Sequence, residues 1–154
     1  MNFTKHSLMF LILLFTSFSF SQNKFREGSN LIINGSTLQE AFYHCIEKLG
    51  KPTADQTDDK LITSYCFNTP NGNIIFGKDS ITKKIEGAII FIKSETESDW
   101  ISNYIDLNSN AENGHLILKN SNLRCVKYVD GNKKILLVAF GDIEFSGKIP
   151  MKLD

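Results

Sequence analysis

Three cysteines, two histidines and a few spaced carboxylates are what could do chemistry in this 154-residue chain downstream of its apolar leader. Cys45, Cys66 and Cys125 are an odd set, in which one pair could bridge in an oxidising compartment. Cys45 falls on the apolar stripe of a helix, and Cys66 shares a strand face with Ile62 and Ser64. A Cys45–Cys66 disulfide would close a loop of about 20 residues and contribute about 3 kcal/mol. It depends on which strand face meets the helix; three buried thiols are the alternative. His44 adjoins Cys45, but successive helix residues point about 100° apart, the wrong geometry for a nucleophile–base pair. Asp106, Asn108, Asn110 and Glu112 place oxygens at alternate positions, as at the start of a calcium loop. Ala111 stands where the turn glycine belongs and Ile117 where the bidentate acid belongs, so a plain Asx-rich loop competes with that reading. Asp58, Asp59 and Glu95 are the carboxylates a hydrolase could use. Trp100 and Tyr104, four apart and joined by Tyr43, form either a binding patch or part of the core.

The familiar constellations are absent from the sequence. It has no H-x-x-x-H, C-x-x-C or H-E-x-x-H metal spacing, no G-x-S-x-G elbow, and no Walker or dinucleotide glycine pattern. No catalytic residue, cofactor site or firm metal site is therefore assigned.

The elements that must position these residues read as follows. Ser36 with Gln39 and Thr37 with Glu40 are overlapping capping boxes. Leu38, Ala41, Phe42, Cys45, Ile46 and Leu49 then mark one helix face, ended by Gly50 and Pro52. A helix over 37–49 follows, and a second is expected over 99–107, entered through the acidic run Glu95–Asp99. Strands are expected at 31–33, 61–67, 74–78, 81–85, 88–92, 115–119, 123–129 and 134–140. Turns fall at 68–73 and at Asp130-Gly131, and the tail 143–153 supplies an edge strand limited by Pro150. Residues 53–60 and 108–114 read as loops, and 22–30 as a flexible arm. The fold class is α+β: one domain over 31–154 with an antiparallel sheet of about six or seven strands. Each half contains a hairpin, yet the residues do not align as a repeat.

The leader says most about destination. Met1–Ser7 carries Lys5 and no acid, Leu8–Phe20 is thirteen largely apolar residues, and Ser19-Phe20-Ser21 is a small-x-small end. These are the parts of a secretory signal, and the run is shorter than the roughly 20 residues of a membrane span. Cleavage after Ser21 leaves 133 residues, with 16 Lys and Arg against 17 Asp and Glu, a net charge of −1. No cysteine lies near that point to carry a lipid. A near-neutral chain without a basic cluster argues against nucleic acid as partner. The expected destination is the periplasm or the medium, with no membrane span after cleavage. The Phe-rich leader ending in Ser-Gln resembles export signals of Bacteroidetes-type bacteria.

Thr37–Leu49, the Leu49-Gly50-Lys51-Pro52-Thr53 turn, Ser64-Tyr65-Cys66-Phe67 and Asn73-Ile74-Ile75-Phe76 together resemble the SmpA/OmlA and β-lactamase-inhibitor-protein type domain over residues 36–76. The resemblance implies a small envelope protein that binds other proteins, in outer-membrane assembly or as a secreted inhibitor. The chain lacks the lipobox cysteine of the assembly members, and only one clear helix precedes the strands, so no site residue is carried over. The expectation is an exported, non-enzymatic protein that binds another protein or an envelope component in an inhibitor, immunity or assembly role. The alternatives are a small secreted hydrolase and a purely structural envelope component.

Overall fold

A computed structural model describes residues 24–151. The expected leader and its cleavage point lie outside the described residues. Helix α1 covers residues 24–34, where a flexible arm and a short strand were expected. Its inward positions are Phe25, Gly28, Ser29, Ile32 and Ile33, all buried and spaced as one helix face. A Cβ on Gly28 would come within 2.3 Å of Ile74 Cδ1. The small residue is what lets α1 lie close to the sheet.

Helix α2 (Leu38–Leu49) matches its expectation: the Thr37 side chain accepts from Glu40 N–H, and the Gly50 N–H closes the last turn on the Ile46 carbonyl. Eight strands follow, in two sets of four: β1 (Thr53–Gln56), β2 (Ile62–Thr69), β3 (Gly72–Asp79) and β4 (Ile85–Ile92), then β5 (Ser109–Glu112), β6 (His115–Leu118), β7 (Arg124–Val129) and β8 (Ile135–Gly141). Helix α3 (Glu95–Asn108) links the sets, and the short α4 (Ile143–Ser146) follows β8. All strands join one antiparallel sheet in the order β1-β2-β3-β4-β8-β7-β6-β5. Each set is a meander, and the two meet where β4 pairs β8.

The α+β class holds, and the sheet is larger than the six or seven strands expected. Both added strands, β1 and β5, are short polar edges that read as loops. The strand expected at 81–85 is a turn instead: Asp79 Oδ1 accepts from Ile81 and Thr82 N–H, and Ile81 stands 76% exposed. The tail begins as a helix, not an edge strand, because Asp142 caps the N–H groups of Glu144 and Phe145. Helix α3 starts four residues before the expected 99, since the acidic run occupies its first turn.

The core lies between one face of the sheet and helices α1 to α3. Phe42 of α2 sits at its centre, with ring centroids 5.1 Å from Tyr65, 5.4 Å from Phe76 and 6.2 Å from Phe67. Ile32, Ile33, Ile101, Ile105, Leu118, Val138 and Phe140 complete it. Alternation along each strand sends the other residues to the second face, where Ile62, Cys66, Ile75 and Ile89 form a smaller cluster with Phe145 and Ile149.

Candidate functional site

The register builds the second face row by row. Gly77, Gly87 and Gly141 are cross-strand neighbours on β3, β4 and β8. At Gly77 and Gly87 side chains would collide with α4 and the tail after it: a Cβ on Gly77 would lie 2.5 Å from Ile149 Cγ1 and 2.8 Å from Phe145 Cε1, whereas one on Gly141 would meet the Glu86 carbonyl at 2.6 Å. Gly77 and Gly87 are therefore the seat of α4, which is pinned by Ser146 Oγ donating to the Phe140 carbonyl at 2.9 Å. Next comes Cys66–Ile75–Ile89–Ala139–Val126. Ile75, Ile89 and Ala139 are buried, and Val126 is half-buried.

The third row is Asn68–Asn73–Phe91–Leu137–Tyr128. Phe91 and Leu137 are half-buried, Tyr128 is 46% exposed, and Leu136 and Val129 stand exposed at the same end of β7 and β8. The row carries an apolar strip on three adjacent strands, Phe91 on β4, Leu137 on β8 and Tyr128 on β7, continued by Asn73 and Asn68 on β3 and β2. Asn73 lies within it at 0% exposure, with neither its Nδ2 nor its Oδ1 in a hydrogen bond. An unsatisfied buried amide costs about 1–3 kcal/mol. Half-exposed apolar side chains thus adjoin a fully buried amide whose donor and acceptor are unused.

The residues singled out by sequence are scattered around this strip and do not converge. Cys45 lies in the core under α2, whereas Cys66 lies in the cluster on the opposite sheet face. The expected Cys45–Cys66 bridge is thereby corrected: the sheet separates the two, and the Cys66 thiol donates to Asn68 Oδ1 at 3.2 Å. Burial pushes the Cys45 thiol up to about 12, and the same cause takes Cys125 to about 11. Neither is a nucleophile near neutral pH.

The calcium-loop candidates are divided between a helix and an edge strand. Asp106 on α3 pairs with Lys127 Nζ at 2.5 Å, and Asn108 Nδ2 donates to the Tyr104 carbonyl at 2.7 Å. Asn110 and Glu112 lie on β5, because the segment after α3 pairs with β6 and does not loop. Among the described residues no three His, Cys, Asp or Glu side chains cluster as a metal would need. Asp58 and Asp59 sit exposed in the β1–β2 turn, and Glu95 sits exposed at the start of α3. The Thr57 hydroxyl beside Asp59 holds its carboxyl below the usual range, the wrong direction for a general acid. His44 is exposed on α2; His115 is exposed on β6, its Nδ1 3.0 Å from Arg124 Nη2.

Trp100 and Tyr104 belong to the seam between α1 and α3. Their rings stack at 4.9 Å, Arg26 lies 5.1 Å over the indole, and the Tyr104 hydroxyl bonds Asn30 Oδ1. Arg26 Nε also donates to Glu97 Oε2 at 2.9 Å, and Glu97 is 5% exposed. This ladder clamps the first helix to the second half of the chain, so the two aromatics stand partly buried against the core. Sequence reading missed the Asn73 row because a strand asparagine gives no hint of which neighbours will face it.

No protein-family model and no curated protein matches the chain. Among solved structures, it is similar to a cysteine-rich secretory protein from Staphylococcus aureus subsp. aureus Mu50, at 17% identity and a TM-score of 0.40. That match covers 66% of this chain and 43% of the other, so the chain spans under half the length of that protein.

Proposed function

We propose that this is an exported, non-enzymatic protein that binds another protein through the open strip on the second sheet face. Its role is of the inhibitor, immunity or assembly kind. The observation that carries the reading is the apolar strip of half-buried Phe91 and Leu137 with exposed Tyr128, on three adjacent strands of the second face. Monomers keep contiguous apolar surface small, so this strip, with Leu136 and Val129 exposed beside it, suits a surface completed by a partner. Export rests on the three-part leader. No helix among the described residues is long and apolar enough to cross a membrane.

Two measurements test the proposal. Intact mass of the protein recovered outside the cytoplasm should correspond to a chain beginning at Gln22; retention of residues 1–21 there contradicts the signal reading. Leu137→Lys should remove the partner that chemical cross-linking attaches to the wild-type protein, with the circular dichroism spectrum unchanged. Equal cross-linking of the variant contradicts the docking surface.

A further inference from the structure

A second site lies at the end of the sheet, where β8 stops before its neighbour does. The last β4–β8 pair is Gly87 with Gly141, and Gly141, at φ +89°, turns the chain out toward α4. Strand β4 runs on to Ile85. The line that β8 leaves vacant becomes a cleft of about 640 Å³ between Lys84–Glu86 on one side and Ser121–Arg124 on the other, with Ser36–Gln39 at the start of α2 closing it. The Ile85 N–H points to this side and is capped by Gln39 Oε1 at 3.2 Å, so a side-chain amide stands where a strand carbonyl would be. Leu38, Ile85 and Leu123 add apolar lining.

The charges of the cleft are unevenly engaged. Glu86 Oε1 accepts from Thr82 Oγ1 at 3.1 Å, and Asp142 Oδ1 accepts from Glu144 N–H at 2.9 Å and Phe145 N–H at 3.2 Å. Lys84 and Arg124 have no carboxylate partner: the ion pairs among the described residues are Arg26–Glu97, Lys127–Asp106 and Lys134–Asp99. Arg124 faces an imidazole instead.

We infer that this cleft binds an extended acidic segment of a partner protein, running along the line of β8. A backbone carbonyl of the segment takes the Ile85 N–H from Gln39, and a side-chain carboxylate engages Lys84 and Arg124. Strand addition supplies affinity through the main chain, and charge-assisted pairs select the acidic sequence.

The test is an NMR titration of the isotopically labelled mature chain with a blocked hexapeptide of alternating glutamate and valine. Saturable shifts are expected at the amides of Gln39, Ile85, Glu86 and Leu123. The Lys84→Gln/Arg124→Gln double variant, both residues exposed, should bind at least about tenfold more weakly; its own spectrum reports the fold. The glutamine–valine peptide should bind comparably weakly to the wild-type chain. The inference is overturned by shifts confined to other residues, by equal binding of the glutamine peptide, or by equal binding to the double variant. It is also overturned if free glutamate reproduces the same shifts at the same concentration, which would indicate a small-anion site.

Discussion

Asp79 shows how one carboxylate shapes the chain around it. Its side chain takes the N–H groups of Thr82 and Ile81, both at 2.7 Å, and these bonds, with Thr82 first, hold the carboxyl below its ordinary value of 3.8. A depressed native pKa contributes stability above the unfolded value and loses it as pH falls through the lower native one. Asp79→Asn should therefore be less stable than wild type near pH 7, with the gap closing below about pH 4 as the native carboxyl protonates. Urea midpoints measured across that range check it; a gap independent of pH would show that the charge contributes nothing. Asn73 is the opposite case, a polar side chain that the fold leaves unused. Asn73→Leu removes an unsatisfied buried amide at similar volume, so it should raise stability by about 1 kcal/mol, read as a raised urea midpoint. A lowered midpoint would show that the amide contributes to the fold.

At the scale of elements, the two faces of the sheet are held by different devices. The helical face is packed by long side chains, whereas α4 is seated by their absence at Gly77 and Gly87. Gly77→Val should cost about 1–3 kcal/mol by overpacking against Ile149, read as a lowered urea midpoint. Ile149→Ala in the same chain should recover part of that loss, and a purely additive double variant would mean that α4 does not rest on this row. Legibility follows the same physics. Helix α2 announces itself because caps, stripe and stop coincide at Thr37, Leu38–Leu49 and Gly50. Helix α1 has an equally good period, but Gly28 and Ser29 fill two of its five inward positions, and small residues do not register as apolar. Edge strands β1 and β5 were hidden by polar sequences such as Thr53-Ala54-Asp55-Gln56. Helix α4 was hidden because the glycines that seat it, Gly77 and Gly87, belong to distant strands β3 and β4.

As a whole molecule, the chain repeats a helix followed by a four-strand meander: α2 with β1–β4, then α3 with β5–β8. The last strands of the two halves pair antiparallel at the centre. The residues of the two halves do not align, and each half packs its side chains against different neighbours. The seam between the halves is strengthened by α1 through Arg26, Asn30 and their partners on α3. That arrangement fixes the central strands as a rigid platform, and α4 covers only part of its second face. The chemistry-bearing residues legible in the sequence are dispersed around this platform. The candidate site arises from register, which no local pattern encodes.

Site-specific photocross-linking in the native cell tests this account most directly. A benzoylphenylalanine at position 137 should give a discrete cross-linked protein adduct that is lost with Tyr128→Lys, while the same probe at exposed position 43 on α2 should give none. No adduct at 137, or the same adduct from both positions, would contradict binding through the open strip.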